Sequence, residues 1–157
     1  MQITTFSDYS MRVMMYLGLQ HGQMVNISDI AEAYSISENH LMKVVHYLAQ
    51  RGYVETIRGK GGGLRLVKDP KSIKIGEMLH ESEGGSGLLP CLDGASSCCI
   101  YKSCKLVEIL REAQAALYLV LDNYTLADLL SDEAPLAKIL IHPKPNKKDL
   151  DTKRDVS

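Results

Sequence analysis

Four cysteines, Cys91, Cys98, Cys99 and Cys104, lie in one short segment rich in glycine and serine, and the rest of the 157-residue chain has none. Thiolates are good ligands for soft metal ions and for iron–sulfur clusters. A segment with so few apolar residues offers little to a hydrophobic core. Its thiols therefore favour a metal centre over a packing role, and in a reducing compartment they are unsuited to a structural disulfide pair.

The spacing of the thiols bears on which metal they bind. Six residues separate Cys91 from Cys98 and five separate Cys98 from Cys104, unlike the closely paired cysteines of a structural zinc site. Three thiolates spread in this way can surround an iron–sulfur cluster, which takes four protein ligands. The fourth ligand is then Cys99, Asp93 or Asp8, and a zinc site or a redox switch of thiols alone remains an alternative. We favour a 4Fe–4S cluster, with 2Fe–2S as the other nuclearity.

Composition sets the limits on the rest of the chain. With 45% hydrophobic residues and a net charge of −1, the chain can bury one core with an appended element. Its N-terminus is too polar for a secretory leader, and no apolar run reaches membrane-spanning length. We find no nucleophile–base pair, nucleotide fingerprint or paired catalytic carboxylates. We therefore expect a cytoplasmic protein that is not an enzyme and does not enter a membrane.

The first fifty residues predict three helices. The first begins with Ser7 as its cap, the second follows Ser28, and the third runs from a cap at Ser37 through Gln50. The apolar residues of the third helix recur at helical spacing and leave a polar outer face; they are Leu41, Val44, Val45, Leu48 and Ala49. Two short helices joined by a tight turn are typical of a helix-turn-helix.

The next residues predict a wing. Residues 53–57 and 64–67 alternate like strands around a glycine-rich tip, residues 58–63. From residue 38 to 68 the chain has six cations and two acids, a net of four positive charges in a nearly neutral protein. DNA binding requires such a patch, although a winged fold that docks to a protein is the alternative. The predicted DNA contacts are Ser28, Ser37, Asn39, His40, Lys43, Arg51, Arg58, Gly59, Lys60 and Arg65.

The C-terminal half predicts a dimer. A short helix around residues 75–79 precedes the cysteine segment, and a long helix follows Cys104 with apolar residues on more than one face. One face can pack on the winged domain and another on a second copy, which gives a homodimer that reads a palindromic operator in double-stranded promoter DNA. Thr125 and Asp128 then form a predicted capping box for a short helical turn.

These elements give a mainly α fold with a small β-wing. We expect a winged helix-turn-helix domain at residues 1–80 and a cluster-binding loop at 81–104. A dimerisation helix with its capping turn follows at 105–131, and the C-terminal segment, 132–157, is expected to be largely a disordered tail.

Several stretches of the chain resemble the Rrf2 family of winged-helix iron–sulfur regulators. They are TTFSDYSMRVMMYL, LAQRGYVETIRGKGGGLRL, IGEML, the cysteine segment and LDNYTLADL, and the similarity covers residues 1 to 141. The resemblance implies cluster ligation by Cys91, Cys98 and Cys104. In the nitric-oxide-sensing members it also implies Asp8 as the fourth ligand, offered by the partner subunit. The role of Cys99 stays open.

The resemblance also implies a function. The cluster-biogenesis members use a histidine three residues after the last cysteine, where this chain has Val107, so the nitric-oxide-sensing branch fits better. The expected function is a repressor released from DNA when nitric oxide attacks the cluster. A regulator that responds to iron or to cluster supply is the first alternative, and a metal-binding protein-interaction module is the second. Arg12, one helical turn after Asp8, either orients that carboxylate or forms an ordinary surface pair with it.

Overall fold

The computed structural model describes residues 2–85, 87, 89–93 and 98–141. Its α-helices are α1 (Thr5–Leu19), α2 (Ile27–Tyr34), α3 (Glu38–Gln50), α4 (Ile75–Ser82), α5 (Lys105–Leu121), α6 (Leu126–Leu129) and α7 (Glu133–Leu140). Two antiparallel strands, β1 (Val54–Ile57) and β2 (Gly63–Leu66), form a hairpin between α3 and α4. Short 3-10 turns lie at Pro70–Ser72, Pro90–Asp93 and Tyr101–Ser103. The predicted fold class, mainly α with a β-wing, is confirmed.

The first helix begins earlier than predicted. Thr4, not Ser7, is its N-cap, and the Thr4 side chain accepts a hydrogen bond from the backbone N–H of Ser7. Ser7 is fully buried and instead accepts a hydrogen bond of 2.8 Å from the hydroxyl of Ser82 at the end of α4. A long-range contact therefore decides the role of Ser7.

The helix-turn-helix is present as predicted. Asn26 and Asp29 form a capping box at the start of α2, so the helix begins before Ser28 rather than after it as predicted, and Ser28 lies within its first turn. Ser35 ends α2 in the left-handed conformation, with φ at 54°. Ser37 then caps α3, which ends at Gln50 as the sequence predicts.

One hydrophobic core joins these three helices to the wing and to the C-terminal helices. Its fully buried members include Val13, Met14, Ile30, Leu41, Leu48 and Leu126. The wing contacts this core closely at Gly63, where a Cβ atom would lie 2.6 Å from the carbonyl oxygen of Val25. The backbones of Val25 and Leu64 exchange two hydrogen bonds beside it, of 2.9 and 2.8 Å, so only glycine fits.

The chain returns to the winged domain after the long helix. Leu126 in α6 and Leu140 in α7 are buried in the core beside α1, and the backbone N–H of Leu126 donates to Ile73. Helix α7 departs from the expectation of a largely disordered segment after residue 131. The remaining part of that expectation, from residue 142 onward, lies outside the described residues.

Candidate metal centre and nucleic-acid interface

The outer face of α3 exposes three of the ten residues predicted to contact DNA. Asn39, His40 and Lys43 are exposed, as is Ser28 in the first turn of α2. Ser37 is also exposed, but its hydroxyl oxygen already accepts the N–H of His40 at 3.4 Å. The opposite face of α3 carries the buried apolar residues that fix the helix to α1 and α2. This arrangement presents polar groups to a groove while the helix stays anchored.

The wing exposes the cations at its tip. Arg58, Gly59 and Lys60 are all exposed, and Gly59 has a φ of 97° that favours glycine. These cations can reach phosphates or the minor groove.

Two other predicted cations already contact acids. Arg65 pairs with Glu55 directly across the hairpin, with 2.7 Å between Nη2 and Oε2. Arg51, the C-cap of α3, lies 3.9 Å from Glu81 of α4 and packs on the Tyr47 ring at 5.5 Å from its centroid. DNA would therefore compete with these acids for Arg51 and Arg65, whereas Lys43, Arg58 and Lys60 form the more accessible set.

The cysteines occupy three local structures. Cys91 lies half-buried in the Pro90–Asp93 turn, and Cys98 and Cys99 are exposed just before the Tyr101–Ser103 turn. Cys104 is the N-cap residue of α5, and its side chain makes no capping hydrogen bond. The partial positive charge at a helix N-terminus stabilises a thiolate or an anionic ligand there. A group bound by Cys104 would therefore lie beside the N-terminus of α5.

The thiols are suitable ligands for an iron–sulfur cluster, but their positions in this single chain do not form a complete binding site. None of the four is in a disulfide, and none is fully buried. Within residues 2–85, 87, 89–93 and 98–141, no three His, Cys, Asp or Glu side chains are close enough to hold one metal ion. The predicted ligand Asp8 lies on another element, α1. The donor set of this single chain is therefore of the right type, but a bound group would have to draw it together.

Asp8 is held in place on the surface of α1. Its Oδ2 accepts a hydrogen bond of 2.9 Å from Nε of Arg12, and the two side chains remain 44% and 41% exposed. This hydrogen bond raises the pKa of Arg12. The Arg12 guanidinium also lies 5.5 Å from the centroid of the Tyr34 ring on α2. The carboxylate is therefore oriented and still accessible, so both readings of the Asp8–Arg12 pair are compatible with its geometry.

The end of α4 joins the cysteine segment to the winged domain, which sequence reasoning missed. Oε1 of Glu83 accepts hydrogen bonds of 2.9 Å from both the backbone N–H and the hydroxyl of Thr4. Partial burial raises the pKa of Glu83, but hydrogen bonds from Ser7 and Thr4 outweigh it, so the pKa lies below its ordinary value. Since Thr4 and Glu83 are 79 residues apart, no local pattern could have shown this contact.

A second contact at the end of α4 reaches the base of the wing. The Tyr53 hydroxyl, at the base of the wing, donates to Oε2 of Glu81 at 3.3 Å. Burial and the nearby Glu81 carboxylate raise the pKa of Tyr53 to about 12. Residues 81–83 thus contact α1 on one side and the base of the wing on the other, directly before the cysteine segment.

Helix α5 carries an apolar surface that this chain leaves uncovered. Val107 is its buried residue, at 6% exposure, whereas four large apolar side chains are more than half exposed; they are Leu106, Ile109, Leu119 and Val120. Large exposed apolar patches mark interaction sites.

Among the described residues, every helix is too short or too polar to span a membrane.

Comparison with known proteins places the chain among transcriptional regulators. The family model "Rrf2: Iron-dependent Transcriptional regulator" matches residues 3–132. The HTH-type transcriptional regulator NsrR of Bacillus subtilis is 46% identical over 142 residues, which cover 89% of this chain and 97% of that protein.

Solved structures agree with this match. CymR, titled the global cysteine regulator of B. subtilis, superposes with a TM-score of 0.64 at 29% identity, over 83% of this chain and 97% of that one. T. potens IscR gives 0.62 at 26% identity, over 87% and 90%. A helix-turn-helix, a cationic wing and a family match across most of the chain lead to one conclusion: this protein belongs to the Rrf2 family of DNA-binding transcriptional regulators.

Proposed function

We propose that this chain is a nitric-oxide-sensing repressor that binds a palindromic operator as a homodimer while an iron–sulfur cluster is present. The similarity to NsrR regulators across 89% of the chain supports this proposal, as does the resemblance of the segment DNYTLADL to that branch. Among the described side chains, we assign cluster ligation to Cys91, Cys98 and Cys104, with Asp8 of the partner subunit as the fourth ligand.

The position of Cys104 carries the proposal. Cys104 ends the cysteine segment and is also the N-cap of α5, the helix with the uncovered apolar surface. A cluster held there lies beside the surface on which a second copy would pack. Because a two-fold dimer repeats each contact, the same geometry would let Asp8 from each subunit reach the cysteines of the other.

The coupling to DNA follows from where Asp8 lies. Asp8 is on α1, which packs on α3 through the shared core, so a tie between Asp8 and the other subunit fixes how the two α3 helices are presented. When bound, the cluster supplies iron that reacts with nitric oxide. A carboxylate is a harder ligand than a thiolate and is more easily displaced. Loss of the Asp8 tie would free the two winged domains from their fixed spacing and lower DNA affinity.

Val107 supports the nitric-oxide branch over a sensor of cluster supply. It occupies the position where the cluster-biogenesis members have a ligating histidine, and here it is an apolar side chain buried at 6% exposure. A valine at this position cannot ligate iron. The fourth ligand must therefore come from elsewhere, which is consistent with Asp8. The donor set admits either nuclearity, and we favour 4Fe–4S.

A direct test compares Asp8→Ala with Glu32→Ala, an exposed acid on α2. Both proteins are purified without oxygen and titrated with nitric oxide, while visible absorbance and binding to a promoter fragment are followed. We expect Asp8→Ala to lose cluster retention or nitric oxide responsiveness without a change in helix content, and Glu32→Ala to match the wild type. An Asp8→Ala protein that matches the wild type in both assays would remove Asp8 from the site.

A further inference from the structure

The exposed face of α3 contains an apolar side chain that the fold does not use. Met42 is 53% exposed, although it lies in the middle of a helix whose other large apolar residues are buried. At about 100° per residue, positions 39, 42, 43, 46 and 50 fall within roughly 100° of arc, opposite the buried face. The outer stripe of α3 is therefore Asn39, Met42, Lys43, His46 and Gln50.

The chemistry of this stripe fits the edge of DNA base pairs better than a protein partner. Lys43 supplies a positive charge on the stripe, and the exposed cations of the wing, Arg58 and Lys60, follow α3 in the same winged domain. The neighbouring Asn39 is exposed and carries the amide that pairs with adenine N7 and N6. His46 and Gln50 hydrogen-bond each other at 3.0 Å, which leaves the N-terminal half of the stripe, Asn39 to Lys43, as the more adaptable part.

We infer that Met42 is a specificity-determining residue that contacts the 5-methyl group of a thymine in the operator's major groove. The thymine methyl is the apolar group that a base pair presents there, so a flexible thioether side chain has one matching partner. With Asn39 one turn earlier, the prediction is a run of A·T pairs under the first two turns of α3. The inference rests on DNA binding by this family and does not depend on the nitric oxide signal.

The test removes the thymine methyl without changing base pairing. Oxygen-free, cluster-loaded full-length protein selects a binding sequence from a random duplex pool, and the selected pool is amplified with either dTTP or dUTP. The affinities of wild type and Met42→Ala are then measured on both products. Burying one methyl group is worth about fourfold in affinity, so two half-sites predict a loss of about 15-fold for the wild type on uracil DNA.

The two proteins together form a double-mutant cycle that isolates the methyl contact. We expect Met42→Ala to bind both DNAs nearly equally, and Met42→Leu, which retains an apolar tip, to regain most of the preference for thymine. Lys43→Ala, which loses a phosphate or polar contact, should weaken binding to both DNAs by the same factor. An equal loss in wild type and Met42→Ala, or no loss in either, would overturn the role of Met42.

Discussion

The winged core and the cysteine segment of this chain are organised by different forces. Helices α1 to α3 bury side chains completely, among them Met14, Ile30 and Leu48. Among those residues of 83–104 whose burial the structure describes, none is buried, and Leu89 and Ile100 are 40% and 59% exposed. Apolar burial specifies the first region. The second lacks a core of its own, so a bound group or a second subunit must order it.

Cysteine substitutions should give the largest difference between the two regions, because they should affect iron binding and leave the stability of the fold almost unchanged. We expect Cys91→Ser, Cys98→Ser and Cys104→Ser each to lose iron while unfolding close to the wild-type midpoint, since none of these side chains is fully buried. Iron and sulfide analysis of oxygen-free protein measures the first effect, and urea unfolding of the cluster-free chains measures the second. Cys99→Ser is the matched control and should keep its iron. If Cys99→Ser lost iron while Cys98→Ser kept it, the two thiols would exchange roles.

Shortening a buried side chain in the winged core should, in contrast, lower the stability of the fold. Leu48→Ala removes a fully buried side chain of α3 and should lower the free energy of unfolding by about 2–5 kcal/mol. Ile139→Ala, at a residue 64% exposed on α7, should change it by less than about 0.5 kcal/mol. Urea denaturation of both chains compares them. A Leu48→Ala protein as stable as Ile139→Ala would contradict the assignment of the core.

The packing of α4 against α5 connects the two regions, and a substitution at Gly76 tests this contact. A Cβ atom on Gly76 would lie 2.7 Å from the carbonyl oxygen of Tyr118 in α5 and would also meet the Asp122 carboxylate. Alanine normally stabilises a helix relative to glycine by about 0.5–1 kcal/mol, but here overpacking should destabilise it by about 1–3 kcal/mol. Thermal unfolding of Gly76→Ala beside Glu77→Ala, an exposed neighbour, measures this. A stabilised Gly76→Ala would show that α5 is free to move away from α4.

The contact between Thr4 and Glu83 should give the smallest effect and a pH signature. Because the pKa of Glu83 is lowered in the folded chain, its contribution to stability is fully present above its unfolded pKa near 4.5 and is lost as pH falls through the folded pKa. Glu83→Gln keeps the acceptor but loses the charge, so we expect a loss of about 1 kcal/mol at neutral pH.

Urea midpoints of the cluster-free chains between pH 3 and 6 would measure this difference. The wild type should lose its stability advantage over Glu83→Gln below about pH 4.5. A constant difference across that range would mean that the carboxylate charge has no part in the contact.

Local patterns predicted the parts of the fold that local forces decide. Ser37 and Gln50 bound α3 because capping and helical spacing act within a few residues. Ser7 was the wrong cap because the helix begins earlier, with Thr4 accepting the backbone N–H of Ser7; the Ser7 hydroxyl instead bonds to Ser82, which is 75 residues away. Helix α7 was missed because its apolar residues are buried only by packing against α1 and α2, which a local sequence pattern does not show.

The candidate site divides in the same way. Sequence indicated the Asp8–Arg12 pair through its spacing of four residues, and the structure shows the contact. It could not indicate the contact of Thr4 with Glu83, since the two residues meet only through the packing of α1 against α4. The ligand roles of Cys91, Cys98, Cys104 and Asp8 stay predictions, because no three His, Cys, Asp or Glu side chains in the described part of the chain lie close enough together to hold a metal ion.

Hydrogen exchange before and after nitric oxide tests the central claim most directly, when paired with DNA affinity on the same oxygen-free sample. We predict faster exchange in peptides covering residues 91–104, in the first turns of α5 and at the start of α1, unchanged protection around Leu48 in α3, and weaker operator binding. Weaker binding accompanied by loss of protection in α3, or unchanged exchange in residues 91–104, would contradict the account.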